Sequence, residues 1–274
     1  MFEKILENVH SRTPLVHCIT NYVTVNDCAN IVLASGGSPI MADDINEVDD
    51  ITSLCNSLVI NMGTLNEFTV SSMIAAGKKA NQISNPVILD PVGVGASKFR
   101  NETMLNLLCD IRFSVIRGNI SEIKTVYKGN GITNGVDADK RDYVNESNIG
   151  EIIELAKELS KKTGAIIVIT GAIDIVADSK KAYIIKNGHP LMAKVTGTGC
   201  MLTAVIGSFC GANEENMLEA TAAAVCTMGL CGELAFEKLS KTDGGTATYR
   251  MYLIDYMSKM TNEMLNEGMK IKMS

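Results

Sequence analysis

A chain of 274 residues with 46% hydrophobic content and only five prolines can bury one large core or two modest ones, and it carries no linker-like or low-complexity stretch. A formal net charge of -6, with no lysine and arginine cluster interleaved with aromatics, argues against a nucleic-acid partner. Eight cysteines without a CxxC pair, and three histidines that form neither HxH nor HExxH, argue against a zinc site or a disulfide framework and predict reduced thiols in a cytoplasmic protein.

In chain order, the opening residues Met-Phe-Glu-Lys-Ile-Leu-Glu-Asn-Val mix charges with hydrophobes and do not resemble a signal peptide. Ser57-Leu-Val-Ile-Asn61 predicts a strand buried on both faces, and a helical pattern follows over 67–82. A second strand over 86–90 ends in Pro-Val-Gly-Val-Gly, and a helix is predicted over 101–110. Strands over 113–119 and 165–171 flank a helix over 148–162. This alternation predicts an α/β fold with right-handed connections and a central, mostly parallel sheet flanked by helices on both faces. Residues 173–177 and 181–186 read as a hairpin-like excursion, and helices follow over 200–210, 217–239 and 246–266.

Residues 195–213 carry no formal charge and are long enough to span a bilayer. Their Thr/Gly-rich start, the interruptions at Gly207 and Gly211, and the lack of a basic flank or aromatic belt instead predict a core helix with no membrane contact. No composition break marks a linker, so a single domain over 1–274 is expected.

The four strands finish in polar or glycine-rich tails: Asn61-Met-Gly, Asp90-Pro-Val-Gly, Arg117-Gly-Asn and Thr170-Gly. Ligands of open α/β sheets bind beyond the carboxyl ends of the strands, so the chemistry should gather there. Val195-Thr-Gly-Thr-Gly-Cys200 reads as a small-residue loop opening into a helix. Unpaired N–H groups at such a start attract phosphate, and Gly197, Thr198 and Gly199 allow a close approach. The plainer alternative is an ordinary loop before a core helix. Cys200 falls at the junction, an environment that lowers a thiol pKa, and is a candidate general base; inert packing is the alternative. Arg117 offers a bidentate fork for phosphate, or a structural ion pair with Glu122. Asp90 and Glu122 are the carboxylates expected to position Mg²⁺ through water, against an Asp-Pro turn and a helix N-terminal charge.

Six motifs in order carry a resemblance that runs through nearly the whole chain: His17-Cys-Ile-Thr-Asn-Tyr22, Ser38-Pro-Ile-Met-Ala42, Leu89-Asp-Pro-Val-Gly93, Ile116-Arg-Gly-Asn119 with Glu122, Ile169-Thr-Gly171, and Val195 through Cys200. Together they resemble the hydroxyethylthiazole kinases, a family with the ribokinase-like fold. That resemblance implies ATP- and Mg²⁺-dependent phosphorylation of the alcohol of 4-methyl-5-(2-hydroxyethyl)thiazole in thiamine salvage. It implies Arg117 and Thr170 as ATP contacts, Asn21, Met41 and Gly197 as thiazole-pocket residues, and a homotrimer with active sites between subunits. Wider ribokinase-like enzymes carry aspartate where Cys200 stands, and the family's Gly-Pro-Gly-Ser-Phe is replaced here by Asp243-Gly-Gly-Thr-Ala-Thr-Tyr249. The competing readings are a related kinase of a pyrimidine or pyridoxal-type alcohol, and a non-catalytic nucleotide-binding sensor.

Overall fold

Residues 2–129 and 144–274 are described by the computed structural model. Its central sheet has the order β2-β1-β3-β4-β5-β6-β7-β8-β9. The strands are β1 (Leu15–Ile19), β2 (Ser38–Ile40), β3 (Ser57–Asn61), β4 (Val87–Asp90), β5 (Val115–Asn119), β6 (Ile166–Thr170), β7 (Asp174–Ala177), β8 (Ala182–Ile185) and β9 (Ile271–Met273). Pairing is parallel from β2 through β6 and antiparallel from β6 through β9.

Successive side chains of a strand point to opposite faces, and here that alternation divides the apolar residues into two cores. Val16, Val59, Ile88, Val115 and Val168 belong to one core. Their neighbours Leu58, Ile60, Leu89, Ile116, Ile167 and Ile169 belong to the other. The first core is covered by α1 (Glu3–Arg12), α2 (Val25–Ala34), α8 (Thr198–Ala212), α9 (Met217–Leu239), α10 (Thr246–Ser258) and α11 (Asn262–Gly268). The second lies under α3 (Val48–Leu54), α4 (Glu67–Gln82), α5 (Lys98–Asp110), α6 (Ile120–Lys128) and α7 (Ile149–Thr163). Two-sided burial is why the predicted strands read as unbroken apolar runs rather than alternating ones.

Helix α8 runs beneath the sheet with every residue over 201–212 buried, as expected of the uncharged segment. Gly207, an interruption in the sequence pattern, lies where a side chain would meet Val59 Cγ2 at 2.6 Å, so it lets the helix approach the strands. Among the described residues, the helical stretch over 214–239 is the one long and apolar enough to cross a membrane, and most of it is buried inside the fold.

Several elements depart from the sequence expectation. Strands β1, β2 and β9 and helices α1, α2, α3 and α6 were not marked by the apolar runs. In β1 the apolar run is broken by His17, which is fully buried and hydrogen-bonded through Nδ1 to Thr52 Oγ1 (2.9 Å) and through Nε2 to the Ala42 carbonyl (2.8 Å). Helix α5 starts at Lys98 rather than 101, because Ser97 Oγ accepts from the Arg100 amide at 3.2 Å. The single helix expected over 246–266 is two. Thr261 caps a new start by accepting from the Met264 amide at 3.2 Å.

Candidate active site

The alternation that builds the cores also decides which polar side chains reach the start of α8. Asn61, Asp90, Arg117 and Thr170 each stand two residues beyond a member of the α8-side core: Val59, Ile88, Val115 and Val168. All four therefore project from the carboxyl edge of the sheet toward that helix. Register aligns them, since Asn61 pairs with Asp90, while Asp90 and Arg117 directly follow the pair Leu89 and Ile116. Arg117 Nη1 lies 3.5 Å from Asp90 Oδ2, and Arg117 Nη2 donates to Thr170 Oγ1 at 2.7 Å. Asn61 Nδ2 and Thr203 Oγ1 donate to the same Asp90 oxygen at 2.9 and 2.8 Å. The ion pair weighed for Arg117 thus exists, but its partner is Asp90 rather than Glu122.

Gly197 occupies the N-cap of α8 with φ +85, a left-handed conformation that glycine adopts without strain. No described side chain caps this helix start, so the N–H groups of its first turn remain open to an anion. Thr198 presents only its amide, because its hydroxyl donates to the Met192 carbonyl at 3.2 Å. A side chain at Gly199 would meet Arg117 Nη1 at 2.6 Å. The guanidinium therefore lies directly on the helix start, and together they make one positive cradle. Arg117 Nε is buried and finds no hydrogen-bond partner among the described residues.

Cys200 is the third residue of α8, half-buried, with Asn21 Nδ2 donating to its Sγ at 3.3 Å. The expectation of a lowered thiol pKa is overturned. Burial pushes the thiol up, and the charge of Asp90 adds to it, outweighing the hydrogen bonds that favour the thiolate. All eight cysteines are free thiols. Asn21 is itself buried, and its Oδ1 accepts from the Thr24 amide (3.1 Å) and hydroxyl (3.0 Å) while Nδ2 also reaches Asn61 Oδ1 at 2.9 Å. Its polar atoms are thus occupied inside the protein. They hold Cys200 and neighbouring residues in place. Met41 directly follows β2, half-buried against the α8-side core, in the segment tethered by the bond from His17 to Ala42.

Glu122 realises its plainer alternative as well as facing the site. Its Oε2 accepts from the Asn119 amide at 2.8 Å while Asn119 Oδ1 accepts from the Glu122 amide at 2.9 Å, a capping box for α6. Oε1 accepts from the Gly93 amide at 2.9 Å. Burial raises the pKa of both Asp90 and Glu122, and the charge of Asp90 raises Glu122 further. Asp90 Oδ1 is fully buried with no hydrogen-bond partner among the described residues. An orphaned carboxylate oxygen beside a second buried carboxylate fits a hard divalent cation that takes its remaining ligands from phosphate and water. Among the described residues no group of three acidic, histidine or cysteine side chains could hold a metal without such help.

A cavity of about 600 Å³ opens beside the cradle. It brings together Arg117, Thr170, Thr198 and Gly199, the four residues expected on the nucleotide side, with apolar Leu202, Val225 and Met228. Cys200, Gly197, Asn21 and Met41 do not line it. Asp174 does, and sequence reading passed it over, because an aspartate opening a hairpin strand carries no signal beyond a turn. Its Oδ1 accepts from the Gly171 amide at 2.8 Å, and burial pushes the carboxyl up to about 7. A carboxyl raised on folding contributes stability that is fully present below its ordinary value of about 4 and is lost as pH rises through about 7. Asp174→Asn is accordingly expected to melt above the parent at pH 8, and level with it at pH 4, by calorimetry across that range.

Comparison with known proteins accords with this geometry. The profile of the Hydroxyethylthiazole kinase family matches residues 6–263. The chain is 58% identical over 268 residues to the hydroxyethylthiazole kinase of Clostridium acetobutylicum, covering 98% of each. It superposes on the hydroxyethylthiazole kinase protein of Pyrococcus horikoshii OT3 with a TM-score of 0.87 at 33% identity, covering 99% of this chain and 98% of that one. A ribokinase-like superfamily protein of Enterococcus faecalis V583 shares the fold with a TM-score of 0.61 at 14% identity, covering 93% of this chain and 89% of that one. The chain is a kinase of ribokinase-like fold and belongs to the hydroxyethylthiazole kinase family.

Proposed function

We propose that this chain, acting as a single domain over 1–274, transfers the γ-phosphoryl group of ATP to the primary alcohol of 4-methyl-5-(2-hydroxyethyl)thiazole in thiamine salvage. The observation that carries the reading is the contact of the Arg117 guanidinium with the open start of α8, where Gly199 has no side chain to separate them. In a loose transition state, charge spreads over the transferring phosphoryl oxygens, and donors fixed in advance meet that charge without reorganising. The amides of Thr198 and Gly199 and the Arg117 guanidinium are those donors, with Thr170 fixing the far end of the arginine fork. ATP occupies the cavity on the Arg117 side, its base against Leu202, Val225 and Met228.

The acceptor alcohol lies on the other side of the helix start, between Cys200, Gly197 and Met41, whose polarisable thioether suits a sulfur-containing ring. Its hydroxyl oxygen forms the new bond to phosphorus as the bond to the β-phosphate oxygen breaks, and Cys200 is the group that receives the hydroxyl proton. Because the thiol is held largely protonated, the reactive thiolate fraction grows with pH. Asn21 belongs to the same pocket and also holds Cys200 there. Asp90 and Glu122 would hold Mg²⁺, which when bound neutralises charge on the transferring phosphates.

Tyr22 and Val23 follow Asn21 directly and are 78% and 58% exposed. Large apolar side chains left open beside the acceptor site favour cover by a second copy, in keeping with a homotrimer whose sites lie between subunits. The free thiols suit a reducing, cytoplasmic setting.

A panel of alcohols offered with ATP and Mg²⁺ tests the substrate. The thiazole alcohol is expected to turn over, and hydroxymethylpyrimidine and pyridoxal are not. Phosphorylation of either of those with none of the thiazole would remove this reading, and ATP binding without turnover of any alcohol would favour a sensor.

A further inference from the structure

Asn61, at the end of β3, is 2% exposed and stands between the two halves of the site. The orientation of its amide is settled by the backbone. A backbone N–H can only donate, and that of Gly63 lies 2.8 Å from Asn61 Oδ1, so Nδ2 faces Asp90 Oδ2 at 2.9 Å. The same argument fixes Asn21, whose Oδ1 takes the Thr24 amide. Both hydrogens of Asn21 Nδ2 are then directed, one to Asn61 Oδ1 at 2.9 Å and one to Cys200 Sγ at 3.3 Å. The turn that follows Asn61 closes on this pair, since a side chain at Gly63 would meet Asn21 Cβ and Nδ2 at 2.7 Å.

We propose that Asn61 is a positioning residue for the transfer: its carbonyl oxygen captures one hydrogen of Asn21 and so aims the other at Cys200 Sγ, while its own amide nitrogen donates to Asp90. It acts on Cys200 through Asn21, and its own side chain also lies within reach of the sulfur, as does that of Thr24. The proposal rests on Cys200 being the group beside the acceptor hydroxyl. The other groups whose charge the thiol feels are Asp90 from β4 and Cys28 from α2. Asp90 keeps Thr203 and Arg117 when Asn61 is removed, so its charge beside the thiol is retained.

The test is the pH dependence of iodoacetamide alkylation at Cys200 in the full chain, resolved from the other cysteines by peptide mass. With the donor no longer aimed at sulfur, Asn61→Ala is expected to move the alkylation midpoint up by about half a unit to one unit. The rising limb of kcat against pH is expected to move with it, while KM for ATP stays near the parent value. Asn61→Ser, which keeps a small polar group in the same space, serves if the alanine variant does not fold, and is expected to shift the midpoint in the same direction. An unchanged midpoint in a folded variant overturns the proposal. A shifted midpoint together with full activity in Cys200→Ala supports the positioning by Asn61 and instead removes the base role of Cys200.

Discussion

Cys200→Ala is expected to lower kcat about 100-fold while KM for ATP changes little, because proton removal is lost and the phosphate cradle is intact. The loss is modest for a catalytic group because a loose transition state leaves most of the proton on the acceptor oxygen until late, and so asks little of the base. The pH dependence carries the sharper signature. Burial and Asp90 raise the thiol pKa, so the parent rate should climb with pH across the neutral range. Cys200→Asp places a more acidic group at the same point, which is ionised at lower pH even after burial raises it. That variant is expected to retain substantial activity and to carry its rising limb at lower pH than the parent. Steady-state kinetics between pH 6 and pH 9, about three units spanning the ordinary thiol range, decide it. An unchanged rate in Cys200→Ala removes the base assignment.

Arg117→Lys is expected to lower kcat/KM for ATP about 100-fold. The guanidinium holds three positions at once: the Asp90 carboxylate, the Thr170 hydroxyl and the open start of α8. A lysine ammonium is a point charge and cannot span them, although it preserves the charge that balances buried Asp90. Arg117→Ala is a poorer probe, since leaving Asp90 buried and unpaired costs about 3–5 kcal/mol and mixes a folding defect with the kinetic one. A lysine variant with parent kinetics would separate Arg117 from the transferring phosphate.

How much of this could be read from the sequence depended on the kind of signal. Strands β3, β4, β5 and β6 were legible because two-sided burial writes continuous apolar runs, and α4 and α9 because their ends match the helical pattern to the residue. Strand β1 was not, because His17 interrupts it with a polar side chain whose burial depends on partners far along the chain, Thr52 and Ala42. The polar tails of the four central strands marked residues that the fold gathers at one edge of the sheet. What they could not convey was which of their residues face each other, since that follows from register. Hence the ion pair of Arg117 fell to Asp90, and Asn61 passed as a strand end although it links the two sides of the site. The helix-start position of Cys200 was legible, but the sign of its pKa shift was not. Position favours the thiolate, whereas burial beside Asp90 opposes it, and only the fold tells which is larger.

Phosphorus NMR of a mixture of the full chain, ATP, Mg²⁺ and 4-methyl-5-(2-hydroxyethyl)thiazole tests the central claim most directly. The expected result is one phosphomonoester of the thiazole alcohol formed for each ADP, with no release of inorganic phosphate. ADP accompanied only by inorganic phosphate, or no loss of ATP while the thiazole is present, would contradict it.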